Sequence, residues 1–256
     1  MFNLNEGLIY YFDGKFTEPW QLTATFIAFV VITMVASYLL GSINSAIVIS
    51  KLIYRDDVRK HGSGNAGMTN MLRTYGGKAA LLTLFGDMLK TAIAVFIAGV
   101  LLGFRYSYGV SYNDGYCYMA GLFAVLGHIF PIYYGFKGGK GVLVTATMGL
   151  IVSPIPFLIV LTIFVIVVAV SKYVSLGSVI GAILYPIILN GYCQVFFGAT
   201  PGIMMLCVIL LAIIIVFCHR ANLERISNRT ENKLSFKKKA APASEEPEAS
   251  IEGEDE

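Results

Sequence analysis

The chain contains several long stretches without a charged side chain, and these most strongly limit what it can fold into. Two of them run from Pro19 to Ser50 and from Gly141 to Ser171. Each is longer than the roughly 20 apolar residues that an α-helix needs to cross a membrane core of about 30 Å. Because 56% of all residues are apolar and only 14% are charged, the sequence indicates an integral membrane protein.

The second charge-free stretch is too long for one straight helix across the bilayer. It would make a helix of about 46 Å at about 1.5 Å per residue. Pro154 and Pro156 lie inside it, and proline breaks a helix because it lacks the backbone N–H. We therefore predict a short helix over residues 142–152, tilted or re-entrant, and a longer one over residues 156–170.

About seven transmembrane helices are predicted in all, so the fold class is an all-α polytopic membrane protein. The first helix is expected to continue unbroken through Asn44 towards Lys51, and residues 190–202 are expected to form a turn region. The predicted spans are about residues 22–41, 79–103, 115–135, 142–152, 156–170, 179–189 and 203–218.

The distribution of basic residues indicates how these helices are oriented. With the amino terminus outside and the carboxyl terminus in the cytoplasm, the cytoplasmic stretches are residues 51–78, 136–141, 171–176 and 219–256. These four stretches hold 16 of the 19 Lys and Arg residues. Lys15 and Arg105 lie outside them, and Lys90 lies within a span. Such an excess of basic residues on one side is the usual sign of the cytoplasmic face.

The two ends of the chain are predicted to differ from its middle. Residues 1–21 lack the basic start and the cleavage site of a signal peptide, and we expect an external segment there. Residues 22–233 form the membrane domain. Residues 234–256 contain three consecutive lysines and then a run of Ala, Pro, Ser and Glu, a composition that predicts a disordered cytoplasmic tail.

The polar loop from Arg59 to Arg73 is the first candidate for a binding site. Gly62, Gly64 and Gly67 are expected to take positive φ and to bring the backbone close to a ligand. Backbone N–H groups in such a loop can surround an anion, and a guanidinium can hold two phosphate oxygens. A flexible basic loop between two membrane helices would look the same, so the loop alone does not separate the two interpretations.

Further polar residues are expected at the same membrane face. Phe136–Gly141 contains two lysines but is not a Walker A loop, because Gly141 stands where Ser or Thr is required. His219 and Asn222 are three apart, so a helix would point both the same way. The predicted phosphate-binding residues are Gly62, Ser63, Gly64, Asn65, Gly67, Thr69, Asn70, Arg73, Lys137, Gly138, Gly139 and Lys140.

Charged and sulfur-containing residues within the spans have simpler interpretations. Asp87 and Lys90 are three apart on one helical face, which favours an internal ion pair. The four cysteines lie in or beside apolar segments and form no Cys-x-x-Cys pair. We therefore predict packing roles for them rather than a zinc site or a disulfide framework.

Taken in order, the motifs GSGNAGMTN, GDMLK, GHIFPIYYGFKGGKG, SKYVSLGS and HRANLER resemble those of the bacterial acyl-phosphate-dependent glycerol-3-phosphate acyltransferases. The resemblance covers about residues 22–233. It implies a seven-helix enzyme of the bacterial inner membrane whose active site faces the cytoplasm. It also implies transfer of a fatty acyl group from acyl phosphate to the sn-1 hydroxyl of glycerol 3-phosphate, giving lysophosphatidic acid and phosphate. The positions that match the family's active site are Ser63, Arg73, Lys140, Ser178, His219 and Asn222.

The residue types agree with that chemistry. Arg73, Lys140 and the glycine loop can bind two phosphate groups without a metal or another cofactor. Acyl phosphate already has a good leaving group, so no covalent acyl-enzyme is needed, and no Gly-x-Ser-x-Gly motif occurs. His219 or a substrate phosphate can take the proton of the attacking hydroxyl. We favour the phosphate slightly, with His219 and Asn222 as orienting donors.

Two further points concern alternatives and partners. A membrane transporter of an organic phosphate would also be polytopic and cationic, although transporters usually bind near the midplane between inverted repeats, and no repeat is apparent. The resemblance implies membrane lipid as the product's environment and contact with a soluble phosphate acyltransferase that makes the donor. Nothing in the sequence indicates nucleic-acid binding.

Overall fold

The computed structural model describes residues 7–13, 15–103, 112–200 and 202–234. Within these residues the fold is all-helical, as predicted, with eleven α-helices and two short 3₁₀ turns at Val58–Lys60 and Ile132–Tyr134. The helices are α1 (Gly7–Asp13), α2 (Pro19–Ser42), α3 (Ser45–Ile53), α4 (Met68–Tyr75), α5 (Gly77–Leu102), α6 (Tyr112–Ile129), α7 (Val142–Val152), α8 (Pro154–Ser171), α9 (Val174–Phe197), α10 (Gly202–Cys218) and α11 (Arg220–Ser227). Most of the predicted external loop around Arg105 and of the predicted tail lies outside the described residues.

Several helices are long and apolar enough to cross a membrane. Five candidate spans are found in the described part of the chain, and α10 with α11 makes a sixth if this bent pair counts as one span. The short helix α7 is also apolar. Large apolar side chains on the outer faces of α2, α5, α8 and α10 are exposed, as expected of helices whose outer faces meet lipid.

The predicted division of the second charge-free stretch is confirmed. The α7 helix ends at Val152, and α8 begins at Pro154 with proline in its first turn. Ser153 lies between the two helices, and its hydroxyl accepts a hydrogen bond from Tyr118, 2.9 Å away. A side chain of α6 therefore hydrogen bonds to the residue at the break.

Two predicted boundaries are wrong. The first helix does not run unbroken through Asn44: α2 ends at Ser42, and the side chain of Asn44 caps α3 by accepting from the backbone N–H of Ile47. The turn region predicted after Leu189 is also wrong, because α9 continues to Phe197 and ends at Gly198 in the left-handed region. Both differences involve an asparagine. Asn44 begins a helix as its N-cap, whereas Asn190 lies inside α9, and asparagine can take either place.

The α6 helix lies at the centre of the fold and packs against α2, α5, α7 and α10. Its glycines allow close contact: a Cβ at Gly127 would lie 2.1 Å from the Tyr38 carbonyl oxygen, and one at Gly121 would lie 2.1 Å from the Met148 sulfur. Small residues at such crossings let helix backbones approach in membranes. Buried Cys117, Cys193 and Cys207 contribute to this core, as predicted for packing residues.

The predicted ion pair within the spans is confirmed. The Lys90 Nζ lies 2.9 Å from the Asp87 Oδ1, and both side chains are almost fully buried in α5. Of the two glycine-rich loops, residues 62–67 directly precede α4, and residues 136–141 directly precede α7.

Candidate active site

Residues from distant parts of the sequence surround one cavity of about 620 Å³. Its polar wall comes from the first loop with α4, from the start of α7, from the start of α9 and from the junction of α10 with α11. All six residues that match the family's active-site positions line it: Ser63, Arg73, Lys140, Ser178, His219 and Asn222. The predicted convergence of these residues in one cavity is confirmed.

The first loop is held in shape by Asn70. Its amide oxygen accepts from the Ser63 N–H at 3.0 Å, and its amide nitrogen donates to the carbonyl oxygens of Val58 and His61. A Cβ at Gly62, where φ is +58°, would lie 2.2 Å from that amide oxygen. Asn70 borders the cavity, but its hydrogen bonds are used within the loop, so it shapes the site rather than offering free donors.

The glycines of this loop do not all behave as predicted. Gly62 and Gly64 have positive φ, as expected. Gly67 has φ of −154°, an extended conformation open to any residue, and stands directly before α4. Gly64 is not part of the cavity wall, whereas Asn65, Gly67 and Thr69 are.

Arg73 lies in the last turn of α4 and reaches the cavity wall. Its guanidinium makes no hydrogen bond or ion pair with any residue in the described ranges. All of its donors are therefore available to an anionic ligand, and a guanidinium can bind two phosphate oxygens at once.

Lys140 is the cation at the start of α7. Its ammonium donates to the Asn222 amide oxygen. Burial lowers the pKa of Lys140, and the nearby Glu231 carboxylate opposes part of that effect. A partly buried cation with one neutral partner interacts strongly with an incoming anion, because little water screens it.

The other residues predicted from this second loop are not in the cavity wall. The N–H groups of Gly138 and Gly139 donate to the carbonyl oxygens of Ile129 and His128, each at 3.0 Å. Lys137 is exposed. The two glycines are needed for packing, because a Cβ at Gly138 would lie 2.0 Å from the His128 carbonyl oxygen. Lys137, Gly138 and Gly139, which the sequence predicted as phosphate contacts, therefore lie outside the cavity wall.

His219 lies at the 49° bend between α10 and α11 and is buried. Its Nδ1 is 2.7 Å from the Ile215 carbonyl oxygen, which can only accept, so Nδ1 carries a proton. In the neutral ring Nε2 is then the acceptor. Asn222 follows on α11 and faces the same cavity, as the spacing of three predicted.

Ser178 and Ser175 come from the first turns of α9. The Ser178 hydroxyl donates to the Val174 carbonyl oxygen of its own helix at 2.9 Å, which leaves its oxygen able to accept. The Ser175 hydroxyl donates to a Glu231 carboxylate oxygen at 2.9 Å. Ser175 also lines the cavity.

Glu231 is a cavity residue that the sequence analysis missed. Its carboxylate accepts from Ser175, from Asn222 at 2.7 Å and from Arg225 at 2.8 Å. Burial alone would raise the pKa of Glu231, but these hydrogen bonds outweigh it and lower the pKa below its usual value. The chain turns back after α11, with the N–H of Glu231 donating to the Arg225 carbonyl oxygen, and no sequence pattern predicted that turn.

Much of the remaining cavity wall is apolar, although Asp87, His128 and Tyr185 also border the cavity. The apolar part includes side chains of α8 and α10, namely Phe157, Val160, Leu161, Phe164, Val208, Leu211, Ala212 and Ile215. One part of the cavity offers cations and amides, and another part is apolar. This combination suits a molecule with an anionic head and a hydrocarbon chain. The fold and this cavity define a polytopic membrane protein with a site for an amphiphilic anion.

The chain belongs to the glycerol-3-phosphate acyltransferase family, whose sequence model matches residues 31–229. The glycerol-3-phosphate acyltransferase of Finegoldia magna is 40% identical over 206 residues, covering 80% of this chain and 96% of the relative. That of Bacillus subtilis is 36% identical, covering 81% and 98%. This membership identifies an acyltransferase of phospholipid synthesis. It decides against the alternative of a membrane transporter of an organic phosphate.

Solved structures agree with the family. The crystal structure of PlsY (YgiH), an integral membrane glycerol 3-phosphate acyltransferase in its glycerol 3-phosphate form, has a TM-score of 0.69 at 31% identity and covers 80% of this chain and 96% of that one. The lysophosphatidic acid form of PlsY has a TM-score of 0.67 at 30% identity, covering 81% and 96%.

Proposed function

We propose that this enzyme transfers a fatty acyl group from acyl phosphate to the sn-1 hydroxyl of glycerol 3-phosphate. The products are lysophosphatidic acid and inorganic phosphate. The observation that carries the proposal is the single cavity in which Arg73, Lys140 and His219 meet the apolar side chains of α8 and α10. Relatives named for glycerol 3-phosphate acyl transfer support the acceptor.

The two cations supply the charge that both substrates require. Arg73 has no protein partner in the described part of the chain, so we assign it to a phosphate group. Among the described residues, Lys140 has only the neutral Asn222 oxygen as its direct partner, so we assign it to the second phosphate or to the charge that develops on the acyl carbonyl oxygen. Such fixed cations stabilise developing charge without a metal.

The reaction balances with these groups alone. The sn-1 oxygen attacks the carbonyl carbon of acyl phosphate, a C–O ester bond forms, and the bond from that carbon to the phosphate oxygen breaks. The hydroxyl proton must leave the attacking oxygen. The tautomer of His219, with its proton on Nδ1, favours Nε2 as the acceptor of that proton. This differs from our expectation that the ring acts as an orienting donor while a phosphate takes the proton.

We propose the following arrangement in the membrane. Seven helical segments, with the amino terminus outside and α7 as a short segment paired with α8, bring the polar loops and the carboxyl terminus to the cytoplasmic face of a bacterial inner membrane. The excess of Lys and Arg in those loops supports this orientation. Acyl phosphate made by a soluble phosphate acyltransferase would then reach the cavity from the cytoplasm.

The proposed function is tested by assaying the purified protein in detergent with palmitoyl phosphate and glycerol 3-phosphate. We expect phosphate release that depends on both substrates, one lysophosphatidic acid formed per phosphate, and the same rate with and without EDTA. Palmitoyl-CoA in place of palmitoyl phosphate should give no product. Turnover with palmitoyl-CoA alone, or activity only after a divalent metal is added, would contradict the proposal.

A further inference from the structure

A buried cluster of three ionisable side chains lies next to the two glycine-rich loops, and two of its members, Asp87 and His128, border the cavity. Asp87 and Lys90 of α5 and His128 of α6 are 1%, 5% and 4% exposed. Ionisable groups inside a membrane protein are costly and are retained for a reason. With neutral His128 the cluster has no net charge, which allows burial, but the acyl-transfer chemistry above assigns it no task.

Lys90 joins this cluster to the break between α2 and α3. Its ammonium donates to the carbonyl oxygens of Gly41 and Ile43, each at 3.0 Å. Such carbonyls at a helix end lack their usual intrahelical partners. The residue after the break, Asn44, donates from its side chain to the Ala66 carbonyl oxygen at 3.3 Å. Ala66 belongs to the first glycine-rich loop, so this loop is attached to the helix end that Lys90 holds.

Lys90 also orients the residue that supports the second loop. Its Nζ lies 3.0 Å from Nδ1 of His128, and an ammonium can only donate, so Nδ1 accepts and Nε2 carries the proton of the neutral ring. The His128 carbonyl oxygen accepts from the Gly139 N–H at 3.0 Å. Gly139 directly precedes Lys140 of the site.

The two loops meet against the His128 ring. A Cβ built at Gly139 would lie 2.1 Å from Nε2 of His128 and 2.7 Å from the Ala66 carbonyl oxygen. The first loop, the second loop and this imidazole therefore pack together with no room for another side chain. Asp87 completes the group, with Oδ1 2.9 Å from the Lys90 ammonium.

We propose that Asp87, Lys90 and His128 are positioning residues that hold the two glycine-rich loops in one fixed arrangement, so that Arg73 and Lys140 face the same bound phosphates. Lys90 reaches the first loop through the α2 end and Asn44, and the second loop through His128. The kinetic part of this inference rests on the proposed function, whereas its structural part does not.

The test compares the double variant Asp87→Asn/Lys90→Met with Tyr118→Phe. The double variant removes both charges together, so that no lone charge stays buried. Tyr118→Phe is the matched control, because it deletes a buried hydroxyl of α6 that bonds Ser153 and Tyr185 away from the loops. Hydrogen–deuterium exchange of the detergent-purified protein reports loop order, and KM for glycerol 3-phosphate reports function.

In the double variant we expect peptides covering residues 62–68 and 136–141 to exchange at least tenfold faster, with α8 and α10 unchanged. We also expect KM for glycerol 3-phosphate to rise at least tenfold. Tyr118→Phe should change neither. Equal loop exchange in the double variant and the control, or faster exchange spread over all helices, would overturn the inference even if the wild type proved to catalyse another reaction.

A second pair of variants serves if the double variant does not fold. His128→Leu removes the acceptor of Lys90, whereas His128→Asn keeps an oxygen near the place of Nδ1. We expect faster loop exchange and higher KM in His128→Leu and values within about threefold of wild type in His128→Asn. Identical behaviour of the two variants would show that His128 only fills space, and the positioning role would then be wrong.

Discussion

Lys140 and Asn222 are 82 residues apart in the chain, yet the ammonium of one donates to the side-chain oxygen of the other. The Asn222 nitrogen in turn donates to the Glu231 carboxylate at 2.7 Å. One amide thus separates a cation from an anion and lets each keep its charge without a direct ion pair. This leaves Lys140 available to a substrate phosphate.

Replacing that amide by a carboxylate should disable the site. In Asn222→Asp the new charge would pair with Lys140 and repel Glu231. We expect kcat/KM to fall about 100-fold, equivalent to about 2.7 kcal/mol, when phosphate release is measured with both substrates. Asn228→Asp, an exposed position at the end of α11, is the matched control and should retain wild-type activity. Similar losses in both variants would contradict this interpretation.

The cations that line the cavity should be essential for acyl transfer, whereas the exposed lysine of the second loop should not. Arg73→Ala and Lys140→Ala are expected to abolish acyl transfer while leaving a folded protein in detergent, because both cations line the cavity. Lys137→Ala should keep activity within about twofold, since Lys137 is exposed outside the cavity wall and surface charges contribute little. Gel filtration and phosphate release are the measurements. Loss of activity in Lys137→Ala would restore the sequence-based prediction that it binds phosphate.

The sequence was sufficient to predict most of the helices, and also the six residues that share the cavity, for a physical reason. Charge-free stretches and prolines report membrane helices directly, as at Pro154. Loops rich in glycine and cations are typical of anion sites, and this pattern pointed to the loop around Ser63 and Arg73. The excess of basic residues in these loops led us to expect them on one membrane face, and the residues they carry do line one cavity. Such reasoning does not depend on the details of packing.

The remaining features depend on contacts that no local pattern records. Glu231 enters the cavity only because the chain turns back after α11. Gly139 looked like a phosphate contact, but its N–H is used by the His128 carbonyl oxygen. Asn44 begins a new helix because its side chain caps α3. The sequence did not reveal this cap, because Asn44 lies within a long stretch without charged residues.

His219 offers a test of where the proton goes. If Nε2 accepts it, His219→Gln should reduce kcat by about 10² to 10⁴, the usual contribution of a general base, with little change in KM. If a substrate phosphate accepts it, glutamine would still orient the substrate and kcat would fall less than tenfold. His61→Gln is the control, because His61 pairs with Asp56 outside the cavity. Phosphate-release rates across pH 5.5–8.5 separate the two outcomes.

Glu231 should link the stability of the site to pH. Its folded-state pKa is lowered from the usual 4.5, so its contribution to stability is present above that value and is lost as the pH falls further. We expect Glu231→Gln to have a lower Tm than wild type at pH 7, because Arg225 loses its charged partner. The difference should shrink below pH 4.5, when the wild-type carboxyl also becomes neutral.

The measurement is thermal unfolding in detergent between pH 3.5 and pH 7 for wild type, Glu231→Gln and Glu224→Gln. Glu224 is an exposed acid on α11, and its variant should follow the wild type at every pH. We also expect kcat/KM of Glu231→Gln to fall about tenfold, equivalent to about 1.4 kcal/mol. In this variant Asn222 and Ser175 would hydrogen bond to a neutral oxygen, so Asn222 would hold Lys140 less firmly. The Tm difference between Glu231→Gln and wild type could instead stay constant down to pH 3.5. That result would contradict the prediction, because it would show that the charge of Glu231 does not contribute to the stability of the site.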